Sequence, residues 1–238
     1  MKPNRTMQPL NITPIRFASF LMVASLALGV AATHADEPEF QSDFFKSRTL
    51  VYSDNFNETF NRERWGAPTE DKQLQNGHLV ITAKFKSKEE AMKVLKRDHH
   101  LGLEPIAHLN QIPESFTCKI CFKFESEELT TGRPVFQIGH HMILFNYLEG
   151  GGHRIKLPDG PTFAEPDSGV KLGDWINMVI QYKKGKIAIS LNNHHRLYEH
   201  DAVTMVNEKD KFGPRFTFKG GPDCRILFDS VDLWKAEQ

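Results

Sequence analysis

Cysteine is scarce in this chain of 238 residues, which contains only three. An odd number of cysteines cannot form a fully paired disulfide framework. Period-two alternation places Cys118 on the apolar face of segment 116–124 and Cys121 on its polar face, so these two should not bridge each other. If a disulfide bridge forms, the sequence favours one between Cys118 and Cys224. Buried free thiols are the expected state, because free cysteine packs as a small hydrophobic side chain.

Long apolar runs are also rare, and the one present lies near the N-terminus. Three basic residues precede or border an uncharged stretch at 17–32 that is rich in Ala, Leu and Val, and small residues at 33 and 35 offer a cleavage site. This layout predicts a secretory signal peptide at 1–35. As a membrane anchor the stretch is short, because a spanning helix needs ~20 apolar residues. We therefore expect a secreted or periplasmic protein with no membrane span after cleavage.

Neither sign of charge is in excess, since the chain has 30 basic and 30 acidic residues. Removal of 1–35 would leave a small negative net charge, because that segment holds basic residues and no acidic ones. Such a chain has no long-range attraction for polyanions, so nucleic acid is not an expected partner. The roughly 200 residues that follow are enough for one large domain. We assign 36–47 to an N-terminal extension and 48–238 to the domain.

Sequence motifs for common catalytic and cofactor sites are missing. The chain has no G-x-S-x-G, no H-E-x-x-H, no phosphate-binding loop and no dinucleotide-binding fingerprint. Adjacent histidines occur at 99–100, 140–141 and 194–195, but neighbours on a strand point to opposite faces and cannot jointly chelate one metal. We predict neither a metal site nor a cofactor. Spacing leaves open a metal held by one histidine from each of several strands.

What the sequence does contain is a succession of strands and turns. Apolar and polar residues alternate in segments such as 78–85, 115–125, 174–182 and 225–234. The exception is Ser-Lys-Glu-Glu at 87–90, a capping box followed by apolar residues at helical spacing. The pattern predicts an all-β sandwich of two antiparallel sheets with one short helix at 88–97.

Both ends of the predicted domain resemble a known superfamily. Segment 50–56 reads Leu-Val-Tyr-Ser-Asp-Asn-Phe and is followed by Trp65 and by Asn-Gly-His-Leu at 76–79. Segment 173–191 holds a tryptophan-led strand, a Lys-Gly turn and an apolar strand, and 226–234 is an apolar final strand. This arrangement resembles the concanavalin A-like (LamG-like) jelly-roll lectins and glucanases. It is most similar to the bacterial, exported 3-keto-disaccharide hydrolase-like family, over roughly the whole predicted domain.

The resemblance implies a jelly-roll β-sandwich with a polysaccharide or oligosaccharide ligand and, if the protein is an enzyme, a hydrolase acting on glycosidic or 3-keto-disaccharide linkages. The chain departs from the catalytic branches at two places. It lacks the E-x-D-x-x-E strand by which retaining glucanases of this fold aim paired carboxylates into one cleft. Where the hydrolase-like family has E-x-Q, 136–141 reads Phe-Gln-Ile-Gly-His-His. These departures favour a non-catalytic carbohydrate-binding or accessory module, although a hydrolase and a domain without a small ligand stay open.

Strand parity selects the candidate ligand-binding residues. If 135–147 is one strand, its even positions from Phe136 to Leu144 face the core, and the next strand exposes its basic residues. Amide, imidazole and guanidinium donors beside an aromatic ring suit the hydroxyls and the apolar face of a sugar. The alternative is an ordinary solvated sheet face, and a single bulge would reverse the parity. The predicted ligand-binding residues are Gln137, His141, Tyr147, Arg154 and Lys156.

Overall fold

The computed structural model describes residues 42, 44–98, 100–126, 128–130, 132–192, 194–206, 211 and 213–237. The signal peptide predicted at 1–35 lies outside these residues, as does the first half of the predicted extension. Within the described ranges, no helix has both the length and the apolar character that crossing a membrane requires.

Strands make up most of the regular structure. In chain order they are β1 (Ser47–Asp54), β2 (Lys72–Gln75), β3 (His78–Ile81), β4 (Ile106–Leu109), β5 (Phe116–Glu125), β6 (Val135–Ile138), β7 (Ile143–Tyr147), β8 (His153–Lys156), β9 (Thr162–Glu165), β10 (Ile176–Lys183), β11 (Lys186–Leu191), β12 (His194–Glu199), β13 (Phe216–Lys219) and β14 (Arg225–Glu237). The helices are α1 (Arg62–Trp65), α2 (Lys88–Leu95) and a 3-10 turn at Pro166–Ser168.

The strands form two sheets in which all neighbours are antiparallel. The eight-stranded sheet has the order β12-β11-β10-β5-β14-β3-β2, with β1 paired to the second half of β14. The six-stranded sheet has the order β4-β13-β6-β7-β8-β9. Half of the strand pairings join strands that are not consecutive in the chain, as in jelly rolls. The prediction of an all-β sandwich with two antiparallel sheets is confirmed.

The core lies between the two sheets and is rich in phenylalanine. Alternation along β5 buries every second residue from Phe116 to Phe124, as the sequence predicts. The ring of Phe136 stacks on that of Phe218 at 4.4 Å between centroids, and Phe122 meets Phe218 edge-on at 5.1 Å. Such pairs add about 0.5–1.5 kcal/mol each beyond the burial of their area. The Phe122–Phe218 pair joins the two sheets, whereas Phe136 and Phe218 belong to the same sheet.

The cysteines behave as expected. Cys118 and Cys224 are buried, Cys121 is half-buried, and all three are free thiols. Burial, and then the charge of Asp232, raises the pKa of Cys118 well above its ordinary value. A thiol that stays protonated is a poor nucleophile, so Cys118 serves the core as a small hydrophobic side chain.

The predicted helix is present and is slightly shorter than expected. Ser87 Oγ accepts a hydrogen bond from the backbone N–H of Glu90 at 3.2 Å, as a capping box requires. The Glu90 carboxylate reaches back to the backbone N–H of Lys86, at 3.0 Å, instead of that of Ser87. The helix ends at Leu95 because Lys96 takes a left-handed conformation with φ of 52°. The sequence did not predict α1, which is too short to show helical periodicity.

The segment predicted as one strand at 135–147 is a hairpin. Strand β6 ends at Ile138, β7 begins at Ile143, and the two pair with each other across a four-residue turn. The turn starts at Gly139, whose φ is 78°. A Cβ on Gly139 would lie 2.8 Å from the backbone of Met205, so a glycine is required there. The prediction of a continuous strand is therefore wrong.

The turn also reverses the predicted parity of β7. Before the turn, Phe136 and Ile138 lie in the core as predicted. After it, Met142 and Leu144 are half-buried outside the core, where the sequence predicted core positions. Strand β7 instead buries its odd-numbered residues, which are Ile143, Phe145 and Tyr147.

Candidate functional site

The six-stranded sheet turns one face to the core and the other away from it. Because side chains alternate, the residues between the core phenylalanines point outward. Strand register aligns these outward residues in two rows that run from β4 to β9. The first row is His108, Thr217, Gln137, Leu144, Lys156 and Thr162. The second row is Ile106, Lys219, Val135, Asn146, Arg154 and Ala164. We call these two rows together the outer face.

The outer face is polar and lacks carboxylates. Its two central amides, Gln137 and Asn146, are 5% and 8% exposed. Lys219 is half-buried, and Arg154 and Lys156 are exposed. None of the positions in the two rows is aspartate or glutamate. The outer face can therefore donate many hydrogen bonds and offer positive charge, but it supplies no carboxylate base or nucleophile.

A neutral histidine stands at one end of the first row. His108 Nδ1 lies 3.1 Å from Thr217 Oγ1. Burial, and then the charge of Arg215, lowers the pKa of His108 to about 4, with smaller effects from His140 and Lys219. At neutral pH the imidazole is thus uncharged and can both donate and accept a hydrogen bond.

Two further histidines adjoin this end of the outer face. His140 and His141 lie in the β6–β7 turn, with ring centroids 3.9 Å apart, and the ring of His140 is 6.4 Å from that of His108. The backbone N–H of His141 donates to Gln137 Oε1 at 3.2 Å, which fixes the side chain of Gln137. Across the ranges that the structure covers, no group of three or more His, Cys, Asp or Glu side chains is arranged to hold a metal ion.

A cleft opens beside the second row. Its volume is about 890 Å³, within the usual range of ligand pockets, and Asn146 and Arg154 belong to its lining. Arg133, which also lines the cleft, donates from Nε to Glu104 at 3.1 Å. Two exposed carboxylates, Glu128 and Glu149, line the cleft as well. The cleft extends the outer face at the end away from the histidines.

The structure places three of the five predicted residues on the outer face and two elsewhere. Gln137, Arg154 and Lys156 point outward, as the parity predicts. Tyr147 is 7% exposed and packs in the core, so its placement on an open face is wrong. His141 lies in the turn outside the two rows, where its backbone N–H contacts Gln137 Oε1, and Arg154 pairs with Asn146 in the second row.

Sequence reasoning missed five polar residues of the outer face, which are His108, Asn146, Thr162, Thr217 and Lys219. Thr217 and Lys219 alternate with core phenylalanines, and this signal could have been read from Phe-Thr-Phe-Lys at 216–219. Asn146 was not selected, because it shares the even parity that was expected in the core and the turn reverses that parity. His108 lies in a four-residue strand that is too short to recognise by alternation.

Comparisons with known proteins define the class of fold. No protein-family profile and no curated protein matches the chain. Among solved structures, a non-specific endo-β-1,3(4)-glucanase of family GH16 superposes with a TM-score of 0.52 and 12% identity over 81% of this chain and 92% of that one. A structure reported with endo-acting O-glycanases of the human gut microbiota superposes with a TM-score of 0.51 and 10% identity over 79% of this chain and 100% of that one. A glycosyl hydrolase family 16 protein from Mycobacterium smegmatis superposes with a TM-score of 0.50 and 14% identity over 78% of this chain and 100% of that one.

These similarities establish the fold. The chain has the concanavalin A-like jelly-roll fold that family GH16 glucanases share. Identities this low carry no catalytic residue from one chain to another, because function depends on the site and not on the fold.

Proposed function

We propose that this protein is an exported carbohydrate-binding or accessory module that binds a glycan on its outer face without cleaving it. The observation that carries the proposal is the composition of the outer face, where amides, hydroxyls and cations stand together without a carboxylate. Amide and cationic donors match the hydroxyls of a sugar. The fold supports a glycan as the ligand, because solved proteins that share it are named as acting on glycans.

The requirements of glycoside hydrolysis support binding without cleavage on the outer face. Retaining and inverting glycosidases generally use two carboxyl groups that flank the scissile bond. The outer face has no such pair at its strand positions. A glycan lying across the two rows would therefore be held by hydrogen bonds and charge, with no acid and nucleophile beside its linkages.

A hydrolase is the second candidate, and one observation favours it. Glu128 and Glu149 line the same cleft as Arg154, so a glycan in the cleft would meet two carboxylates. Both are exposed, whereas a general acid is typically kept protonated by an apolar surrounding. Within this candidate, the sequence resemblance points to a 3-keto-disaccharide or another glycosidic linkage as substrate.

Binding and cleavage can be separated experimentally. The mature protein should be applied to a glycan array, and its ligands should then be titrated by calorimetry and assayed for released reducing ends. Asn146→Ala should weaken binding about three- to ten-fold, because each lost hydrogen bond costs about 0.5–1.5 kcal/mol. Asn177→Ala is the matched control, since Asn177 is an exposed asparagine on β10 of the other sheet.

Two results would change the proposal. If Asn146→Ala and the unmodified protein bind the ligand with equal affinity, the ligand does not bind on the outer face. Release of reducing ends that is lost in both Glu128→Gln and Glu149→Gln would favour the hydrolase.

Export is part of the same proposal. It rests on the basic residues, the uncharged stretch and the small residues that make 1–35 a signal peptide by sequence. Mass spectrometry of the protein from its native host should find an N-terminus near Asp36, in a secreted or periplasmic fraction. A cytoplasmic chain that still begins at Met1 would contradict export.

A further inference from the structure

The outer face carries three cations and no carboxylate at the positions of its two rows, whereas some cations elsewhere on the described residues are paired with acids. Elsewhere, Lys186 pairs with Glu199 at 2.8 Å, and Arg225 pairs with Glu125 at 3.1 Å. On the described part of the molecule, none of the three outer-face cations forms an ion pair with a carboxylate. These cations are Arg154, Lys156 and Lys219.

Further positive charge surrounds this group. Burial lowers the pKa of Lys219, and the nearby charges of Arg133 and Arg215 lower it further, while Glu104 has the opposite effect. Like charges gathered at one place repel each other, and this cost is relieved when an anion binds among them. The carboxylates in the neighbourhood are Glu104, which pairs with Arg133, and Glu128 and Glu149 in the cleft.

This concentration of positive charge is local. The whole chain is balanced, with 30 basic and 30 acidic residues, so the outer face is not basic merely because the protein is. A balanced protein with one cationic surface attracts anions at that surface and not over its whole envelope. The charge pattern therefore points to the ligand of this surface.

The spacing of the cations fits an extended ligand. Lys219 and Arg154 stand in the same row, three strand spacings apart, which corresponds to about 14 Å. Lys156 is two residues from Arg154 along β8, or about 7 Å. A single small ion could not reach both ends of the row. An oligomer with repeated acidic groups could contact both, with Asn146 between them in the same row and Gln137 in the neighbouring first row.

Given the proposed function, we infer that the glycan bound by the outer face is anionic, a polysaccharide whose sugars carry carboxylates or sulfates. Arg154 and Lys219 bind the acidic groups, and the amides of Asn146 and Gln137 bind hydroxyls. A guanidinium matches the two oxygens of such a group with two parallel hydrogen bonds. Anionic glycan is favoured over nucleic acid because the fold is shared with glycan-acting proteins and the chain has no basic excess.

Matched pairs of polymers test the inference directly. Calorimetry would compare polygalacturonate with its methyl ester, which loses the carboxylate charge and keeps the sugar, and dextran sulfate with dextran. We expect the charged member of at least one pair to bind about ten-fold or more tightly than its neutral partner. The advantage should shrink as salt rises from ~50 to ~500 mM, because salt screens exposed charges. The pair that shows the difference identifies carboxylate or sulfate as the acidic group.

Single substitutions locate the contact. Arg154→Gln and Lys219→Gln should each weaken binding of the charged polymer about three- to ten-fold, with little change for a neutral polymer. Lys93→Gln, which removes an exposed cation on α2, is the control and should leave the affinity unchanged. Arg154 is exposed, so its substitution keeps the test valid even if Lys219→Gln affects folding.

The possible outcomes separate this inference from the proposed function. Neutral glycans that bind as tightly as charged ones would overturn the inference and leave the binding module intact. Absence of binding to any charged or neutral glycan would overturn both. Binding to double-stranded DNA as tight as that to the charged glycan would also overturn the inference, because the surface would then recognise polyanions in general.

Discussion

Single residues in the core show how the fold controls protonation. His153 is 1% exposed, its ring stacks on that of Phe145 at 4.8 Å, and its Nδ1 lies 2.7 Å from Ser168 Oγ. Burial, and then the charge of His194, lowers the pKa of His153 to about 4. The folded protein therefore holds this imidazole neutral, whereas an unfolded histidine has a pKa of ~6.5.

The depressed pKa of His153 makes stability depend on pH in a definite direction. Between pH ~6.5 and pH ~4 the unfolded chain binds a proton that the folded chain does not, so the stabilisation is complete above this window and is lost as pH falls through it. From pH 7 to pH 5, the free energy of unfolding should fall by on the order of 2 kcal/mol because of His153. Urea unfolding at the two pH values measures the difference.

Substitution of His153 should remove this part of the pH dependence. His153→Gln keeps a polar group near Ser168 and does not titrate, so the loss between pH 7 and pH 5 should be smaller than in the unmodified protein. The control is His195→Gln, which changes an exposed histidine on β12 and should keep the original dependence. If His153→Gln loses as much stability as the unmodified protein, another group causes the pH effect.

At the scale of elements, the end of α2 stores strain. Lys96 has φ of 52°, a left-handed conformation that costs a non-glycine residue roughly 1–2 kcal/mol, while its backbone N–H donates to Met92 O at 2.9 Å. Lys96→Gly keeps the hydrogen bond and removes the strain, although glycine also gains entropy when unfolded. We expect a net stabilisation of about 0.5–1 kcal/mol.

Thermal unfolding provides the measurement for Lys96→Gly, which should melt at a higher temperature than the unmodified protein. The same substitution inside the helix, Lys93→Gly, serves as the contrast and should destabilise by about 1 kcal/mol. A lower melting temperature for Lys96→Gly would mean that the lysine side chain contributes more than its backbone strain costs.

Elements with uninterrupted patterns were predictable from sequence, and those interrupted inside an apolar run were not. Strand β5 and helix α2 follow from alternation and from the capping box at Ser87. The β6–β7 turn was missed because Ile138 and Ile143 flank it and because Gly139 was its one recognisable breaker. Because side chains alternate, the missed turn placed every side chain of β7 on the wrong face.

The candidate site was predictable only in part, for a related reason. Outward positions such as Gln137 and Lys156 follow from the alternation within their own strands. Which residues share a row depends on pairings between β4, β13 and β6, which are far apart in the chain. Long-range pairing of this kind has no local signal, so His108 and Thr217 could not be placed beside Gln137 from sequence.

At the scale of the whole molecule, the edges of the two sheets are joined by one carboxylate. Glu165 ends β9 of the six-stranded sheet and accepts hydrogen bonds from His194 at 3.1 Å, Arg196 at 3.0 Å and Tyr198 at 3.3 Å, all on β12 of the eight-stranded sheet. Burial acts to raise the pKa of Glu165, but Arg196 and then His194 outweigh it and hold the pKa below its ordinary value. This edge of the sandwich thus depends on an ionised Glu165.

Loss of this carboxylate should therefore loosen one side of the sandwich. Glu165→Ala removes the acceptor for three donors and should lower the free energy of unfolding by about 2–3 kcal/mol at neutral pH. The free energy of unfolding of Glu165→Gln should lie between those of Glu165→Ala and the unmodified protein. Glu199→Ala is the matched control on β12, because its exposed ion pair with Lys186 should be worth under about 1 kcal/mol.

Since the folded pKa of Glu165 is depressed, its contribution is present above the unfolded pKa of ~4.3 and is lost as pH falls through the folded value. Urea unfolding gives the stability, and hydrogen exchange of the β12 amides gives the location. Equal losses in Glu165→Ala and Glu199→Ala would show that packing, and not this carboxylate, closes the edge.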